Sequence, residues 1–228
     1  MVEGTQRFGP ERKVLNMRKI FEFGGLIAAV VLIAFGVVTI AMGVSGRNTV
    51  SDSLKLEQIT GSPDMTPSAI AAEAKKAGLP ASVTLPTVDI AGKAIDSGAR
   101  ARVFAEYMRI HTLEATGNLT YSQMPRFATA DGKGTSDATA ALKSATGQPV
   151  DNAARSLWVT ETALATALNT SFMAAQLSLF SIVVGLALLL TGIGFSILAI
   201  GGALRSSETW VASFARKPKK VHGSAQPA

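Results

Sequence analysis

The sequence predicts an all-α membrane protein in which two long antiparallel transmembrane helices extend into a stalk, with a small helical extracytoplasmic cap. Three observations predict it. Two stretches lack ionisable residues for long enough to cross a bilayer, basic residues crowd both outer flanks, and helix-capping residues rather than strand alternation punctuate the segment between. The chain has 228 residues, a hydrophobic fraction of 47% and no cysteine. Disulfides, thiolate metal sites and thiol nucleophiles are therefore excluded, and the fold must rest on packing.

Residues 1–22 form a basic tail. After a polar start, ERKVLNMRKIF predicts a short amphipathic helix at the membrane interface, offering Val14, Leu15 and Phe21 to lipid. It runs into the first span, residues 23–44, FGGLIAAVVLIAFGVVTIAMGV. At helical rise these residues cover ~33 Å, against a hydrocarbon core of ~30 Å. A cleaved signal peptide is the rival reading, since Ala41 and Gly43 resemble a cleavage site. Signal cores run only about 7 to 15 residues, which favours a retained span.

Residues 45–171 are the predicted extracytoplasmic stalk and cap. Val50 and Leu54 keep a helical spacing beyond the first span until Thr60-Gly61-Ser62-Pro63 interrupts it. The cap covers about residues 60–150. In TPSAIAAEAKKAGLP, Thr66 is placed to cap a helix, Pro67 to occupy its first position, and Gly78 with Pro80 to end it. LPASVTLPTVDIAGK is proline-broken and extended. A second helix is expected from Ser97 to Thr116, closed by Gly117, and a third from Ser136 to Thr146, while ATADGKGTSD forms an exposed loop. Asp151 is expected to cap the last helix, in which Leu157, Leu164, Leu168 and Phe172 recur with Trp158, Thr162 and Ala165 alongside.

That helix leads into the second span, residues 172–204, since no charge falls between Glu161 and Arg205. Ala29, Gly36 and Gly43 in the first span, and Ser178, Gly185, Gly192 and Ala199 in the second, recur every seven residues. Such a stripe predicts a helix-packing seam, because small side chains let backbones approach closely in lipid. Residues 205–228 form a second basic tail, in which Ser207 can cap a turn that carries Trp210 and Phe214 to the interface.

Charge orients the chain. Lysine and arginine number five in each tail and twelve between the spans, against three, one and twelve acidic residues in the same order. The excess of +6 lies wholly in the tails, which places both termini in the cytoplasm of a cell-membrane protein. Arg18, Lys19, Arg205, Arg216, Lys217, Lys219 and Lys220 are the basic residues expected to meet anionic lipid head groups. Nucleic acid is a poor partner, since no aromatic residues interleave the tail bases.

Chemistry concentrates in RIHTLEATGNLTYSQMPRF, residues 109–127. Tyr107, His111 and Glu114 fall at helical spacings that let neighbours touch, and with Tyr121 and Arg126 they form a candidate ligand or interaction cluster. An imidazole oriented by a carboxylate could serve as an acid or base, but no nucleophile or oxyanion loop accompanies it, so no catalytic residue is assigned. The bland alternative is a histidine favoured by the dipole at a helix C-terminus. No metal site or cofactor is predicted: a lone His-x-x-Glu is half of a di-metal motif, and DGKGTSD fits neither a calcium loop nor a phosphate loop. Asn118-Leu119-Thr120 and Asn169-Thr170-Ser171 match glycosylation sequons, a pattern that chance readily supplies. The spans carry no ionisable residue, which argues against transport by this chain alone.

DMTPSAIAAEAKKAGLP, EYMRIHTLEATGNLTYSQMPRF, and ETALATALNTSF leading into FSIVVGLALLL together resemble a family of uncharacterised two-pass membrane proteins of actinobacteria, over most of residues 20–204. The resemblance implies a bacterial cell-membrane location. Some members of that family bear an aromatic ring-opening dioxygenase label, which these residues contradict because such iron chemistry needs a clustered site and only one histidine lies outside the tails. The expected function is that of a non-catalytic envelope protein contacting another membrane protein, or a second copy of itself, through cap and stalk. A ligand-sensing module signalling through a partner is the second expectation, and an enzyme the third.

Overall fold

The computed structural model describes the backbone of residues 11–201 and the side chains of residues 23–201. Four helices make up the described chain: α1 (Glu11–Leu56), α2 (Pro67–Lys76), α3 (Gly98–Ala115) and α4 (Ala153–Ile200). Among the described residues there is no strand, only isolated backbone bridges. The helix predicted before the first span and the span itself form one continuous α1. The side chains of Val14, Leu15, Arg18, Lys19 and Phe21, which the sequence offers to the membrane surface, and everything assigned to residues 202–228 lie outside what the structure describes.

The chain divides into two compact units, residues 1–38 with 184–228, and residues 39–183. In the first, α1 and α4 pack through small residues. A Cβ at Gly36 would stand 2.8 Å from the Gly185 carbonyl oxygen and from the Leu189 nitrogen, and one at Gly192 would stand 2.9 Å from the Ala29 carbonyl oxygen. Contact that close needs glycine, because any side chain would meet backbone that cannot rotate away. Thr191 and Ser196 donate to carbonyls four residues back, so their hydroxyls are satisfied within α4. Most apolar side chains here face outward. The most apolar windows of the two long helices are only 17% and 11% buried, and both helices are long and apolar enough to cross a membrane.

In the second unit α1 and α4 also approach closely at Gly43, whose added Cβ would lie 2.6 Å from the Ser178 carbonyl oxygen. The rest is a helical domain with irregular connections. α2 begins as its residues require: the Thr66 hydroxyl accepts from the Ala69 N–H, Pro67 follows, and Gly78 ends the helix at φ +68°. α3 starts behind Ser97, whose hydroxyl accepts from the Arg100 N–H. One core gathers Leu54 of α1, Ile70 and Ala74 of α2, Tyr107 and Ile110 of α3 and Leu168 of α4, with Ile90 and Ile95 from the extended segment between α2 and α3. That segment is held by backbone bonds from the Ile95 N–H to the Ile59 carbonyl and from the Gly61 N–H to the Lys93 carbonyl. A smaller cluster joins Leu113, Met124 and Trp158. The Trp158 indole donates to the Leu119 carbonyl and the Thr116 hydroxyl, which satisfies its polar edge while its rings are buried.

Three local expectations are corrected. The helix expected from Ser136 to Thr146 is absent. Asp137 instead turns its carboxylate onto the N–H and hydroxyl of Thr139, and the Leu142 and Val150 N–H groups are spent on the Ala128 and Leu142 carbonyls. A segment that short is marginal as a helix, and side chains that bond their own backbone tip it into turns. The N-cap of α4 is Asn152, whose side-chain oxygen accepts from the Ala154 N–H, not Asp151, whose backbone bridges to Phe127. Finally, of the residues expected to recur along α4, Trp158 and Leu168 are buried and Ala165 is half-buried, with Glu161 buried beside them, whereas Leu157 and Leu164 are exposed. Both stripes have helical spacing, so periodicity alone does not choose between them.

Candidate functional site

The site is built where α2 and α3 face each other within the second unit. Asn118, just past α3 at φ +66°, donates both protons of its amide to the Ala77 and Gly78 carbonyls at the end of α2, at 3.1 Å each. This clamp ties the two helix ends and sets Glu73 of α2 opposite His111 of α3. His111 Nε2 lies 3.5 Å from Glu73 Oε2 and 3.8 Å from Asp64 Oδ2. Asp64 comes from the turn before α2, where Ser62 donates its hydroxyl to Oδ1 and so leaves Oδ2 turned toward the imidazole.

The electrostatics of this cluster are unbalanced. Burial pushes the Glu73 carboxyl up to about 7, and the neighbouring Glu114 carboxylate pushes in the same direction. Asp64 is held below the usual carboxylate range, first by the hydrogen bond from Ser62, with a smaller contribution from His111. His111 Nε2 is buried and yet has no hydrogen-bond partner, one of two such side-chain atoms among the described residues. Ligand atoms of Asp64, Glu73 and His111 all lie within 4.8 Å of one another, so these three could hold a metal ion. The expectation of no metal site weighed only residues adjacent to His111 in sequence, whereas the fold brings two carboxylates to it from elsewhere.

The five-residue cluster expected from the sequence is divided by the fold. His111 and Glu114 both face Glu73. Tyr107 is fully buried and donates its hydroxyl to the Val88 carbonyl at 3.0 Å. Burial holds its own titration above the ordinary value, with Asp89 and Glu106 adding to it. Tyr121 and Arg126 line a separate shallow pocket of about 230 Å³ with Asp151, Asn152 and Arg155, and the Arg155 guanidinium stacks 4.0 Å over the Tyr121 ring. Both sequon asparagines donate internally, Asn118 with both amide protons as above and Asn169 with one, to the Ala165 carbonyl. A wider groove of about 760 Å³ is lined by Val83, Leu85, Arg102, Glu106 and Arg109, with Arg102 over the Phe172 ring and Arg109 over Trp158.

Sequence reasoning missed Asp64 and Glu73. A signal for Glu73 was present: Ile70, Glu73, Ala74 and Ala77 fall at i, i+3, i+4 and i+7, which is the inward face of α2. A carboxylate on an apolar stripe asks for a partner. Asp64 carried no such signal, because only the tertiary pairing of residues 59–61 with 93–95 fixes where its turn points.

No family model, curated protein or solved structure matches the chain. What the described residues define is an all-helical protein with two helices long and apolar enough to cross a membrane and a histidine–carboxylate cluster in the connecting domain.

Proposed function

We propose that the chain is a two-pass integral protein of the cell membrane, with residues 45–171 outside the cytoplasm, both tails inside, and the two spans paired antiparallel. Its role is that of an accessory or scaffold protein whose cap and stalk contact another envelope protein or a second copy. One observation carries the reading: the large apolar side chains of the long helices are exposed, among them Phe23, Val30, Phe35 and Met42 on α1 and Leu177, Phe180, Leu190 and Ile197 on α4. Burying one such side chain is worth about 1.5–3 kcal/mol, so lipid is the solvent that fits this surface. Opposed contacts at Ala29 with Gly192 and at Gly36 with Gly185 support the antiparallel pairing. The resemblance to actinobacterial two-pass proteins points to the same location, and basic tails favour anionic head groups on the inner leaflet. No reaction is assigned, since among the described residues no nucleophile stands beside His111.

The test uses the absence of cysteine. A single Ser136→Cys variant should react with an impermeant maleimide on intact cells, and a single Ser224→Cys variant only after permeabilisation. The reverse pattern refutes the orientation. Photo-crosslinkers at exposed cap positions such as Lys93 and Leu142 should then trap a discrete adduct, either a dimer or one envelope protein, and monomer alone at every position refutes the scaffold role. The groove beside Arg102 and Arg109 favours one second reading, a module that senses a small ligand through a partner.

A further inference from the structure

We propose that Asp64, Glu73 and His111 bind a divalent first-row cation, zinc in the first instance, which staples the turn before α2, α2 itself and α3. The inference goes beyond the scaffold reading and does not depend on it.

Geometry carries it. Zinc bonds imidazole nitrogen and carboxylate oxygen at about 2.0–2.2 Å, so ligand atoms around a tetrahedral ion stand about 3.3–3.6 Å apart. The separations from His111 Nε2 are 3.5 Å to Glu73 and 3.8 Å to Asp64, within a few tenths of an ångström of that spacing. The second observation is independent of the spacing: Nε2 is buried without a hydrogen-bond partner and points at the two oxygens. Buried polar atoms of that kind are rare, and an unpaired one calls for a missing partner. A cation supplies it. Asp64 also has the support that ligating carboxylates usually have, a hydrogen bond from Ser62 to the oxygen that does not face the site. Water would be the fourth donor.

The donor set selects the class of ion. An imidazole is a poor ligand for calcium or magnesium, whereas one imidazole with carboxylates suits zinc or manganese. Two histidines with one carboxylate would be the set of a non-haem iron oxygenase, and here the ratio is inverted. A staple also answers a structural need, since this small domain has no disulfide.

The experiment takes the full-length protein in detergent, strips it with EDTA, removes the chelator and titrates zinc chloride, then manganese chloride, by calorimetry at about pH 7.5, because protons compete with a metal for its ligands at lower pH. Expected is one zinc per chain and a raised Tm. His111→Gln should weaken binding by about 100-fold or more, because removing a ligand costs at least as much as removing its supporting partner. Asp64→Asn, on an exposed turn, keeps the test decisive if the His111 variant fails to fold, and should weaken binding at least about tenfold. His222→Ala, in the tail, should bind as the parent does. Absence of saturable binding below about 1 mM by either metal overturns the proposal, as does parental affinity in Asp64→Asn or loss of the zinc with His222→Ala.

Discussion

Gly98→Ala sets two effects against each other at the point where α3 meets α4. Alanine has the better helix propensity, worth at most about 1 kcal/mol. The added Cβ, however, would stand 2.8 Å from the Ala175 Cβ, 2.9 Å from the Phe172 Cα and 2.9 Å from the Ser171 carbonyl oxygen. Favourable carbon contacts lie at about 3.5–4.0 Å. Two of the three atoms are backbone of α4, so no rotamer change relieves the clash and the helices must part by several tenths of an ångström. Overpacking of this kind costs about 1–3 kcal/mol. Sterics therefore win, and the net expectation is a loss of about 1–2 kcal/mol. The assay is thermal unfolding of the full-length protein in detergent, followed by Trp158 emission in a Trp210→Phe background. Trp158 is buried and bonded to the end of α3, so it reports this packing directly. Gly194→Ala, where nothing lies within 4 Å, is the control and should not lower Tm. A Gly98→Ala protein that melts at or above its parent refutes the close-packing argument.

Three further outcomes follow from the same contacts. Glu73 titrates near 7 in the folded protein against an ordinary 4.5, so the stability its proton provides is complete below about pH 4.5 and is lost as pH rises through 7. In EDTA, the metal-free protein should lose up to about 3 kcal/mol over that window, and Glu73→Gln should flatten the slope of Tm against pH. Tyr107→Phe leaves the Val88 carbonyl without its donor and should cost about 1–2 kcal/mol by the same melts, whereas Tyr107→Ala empties a fully buried site and should cost about 3–5 kcal/mol. Asn152→Ala should cost about 1 kcal/mol through the lost α4 cap while Asp151→Ala costs little, and equal effects would return the cap to Asp151.

Helices were legible wherever their ends carried chemistry. Thr66 with Pro67 and Gly78, and Ser97 with Gly117, are local signals, and a local signal survives whatever the rest of the chain does. The small-residue stripe was legible for a related reason: Gly36, Gly43 and Gly192 sit where only a hydrogen fits, and that requirement is written at each position. Residues 136–146 were not legible as turns, because alanine, lysine and leucine there favour a helix, and only the pairing of Leu142 with Ala128 and Val150 withdraws the backbone groups it would need. The site was half visible. His111 and Glu114 announce themselves by spacing, while the partners that give them meaning come from thirty-eight or more residues upstream in sequence and depend on the Asn118 clamp.

That clamp explains why a change at the cluster would not stay there. α3 is fixed at both ends: its first residue is pressed against Ser171, Phe172 and Ala175 of α4, and its far end is bonded through Thr116 and Leu119 to the Trp158 indole on the same helix. His111 lies between those anchors, so it cannot shift toward Glu73 without loading one of them. A helix held at two points on one neighbour moves as a rod, and its response is felt at Trp158 and Phe172 together. Cation binding in the metal-free protein should therefore alter Trp158 emission although no ligand touches the indole, and the change should disappear with His111→Gln. If zinc binds with one equivalent and leaves Trp158 unaltered, the cluster is a local staple and α3 is not the lever that its two anchors make it.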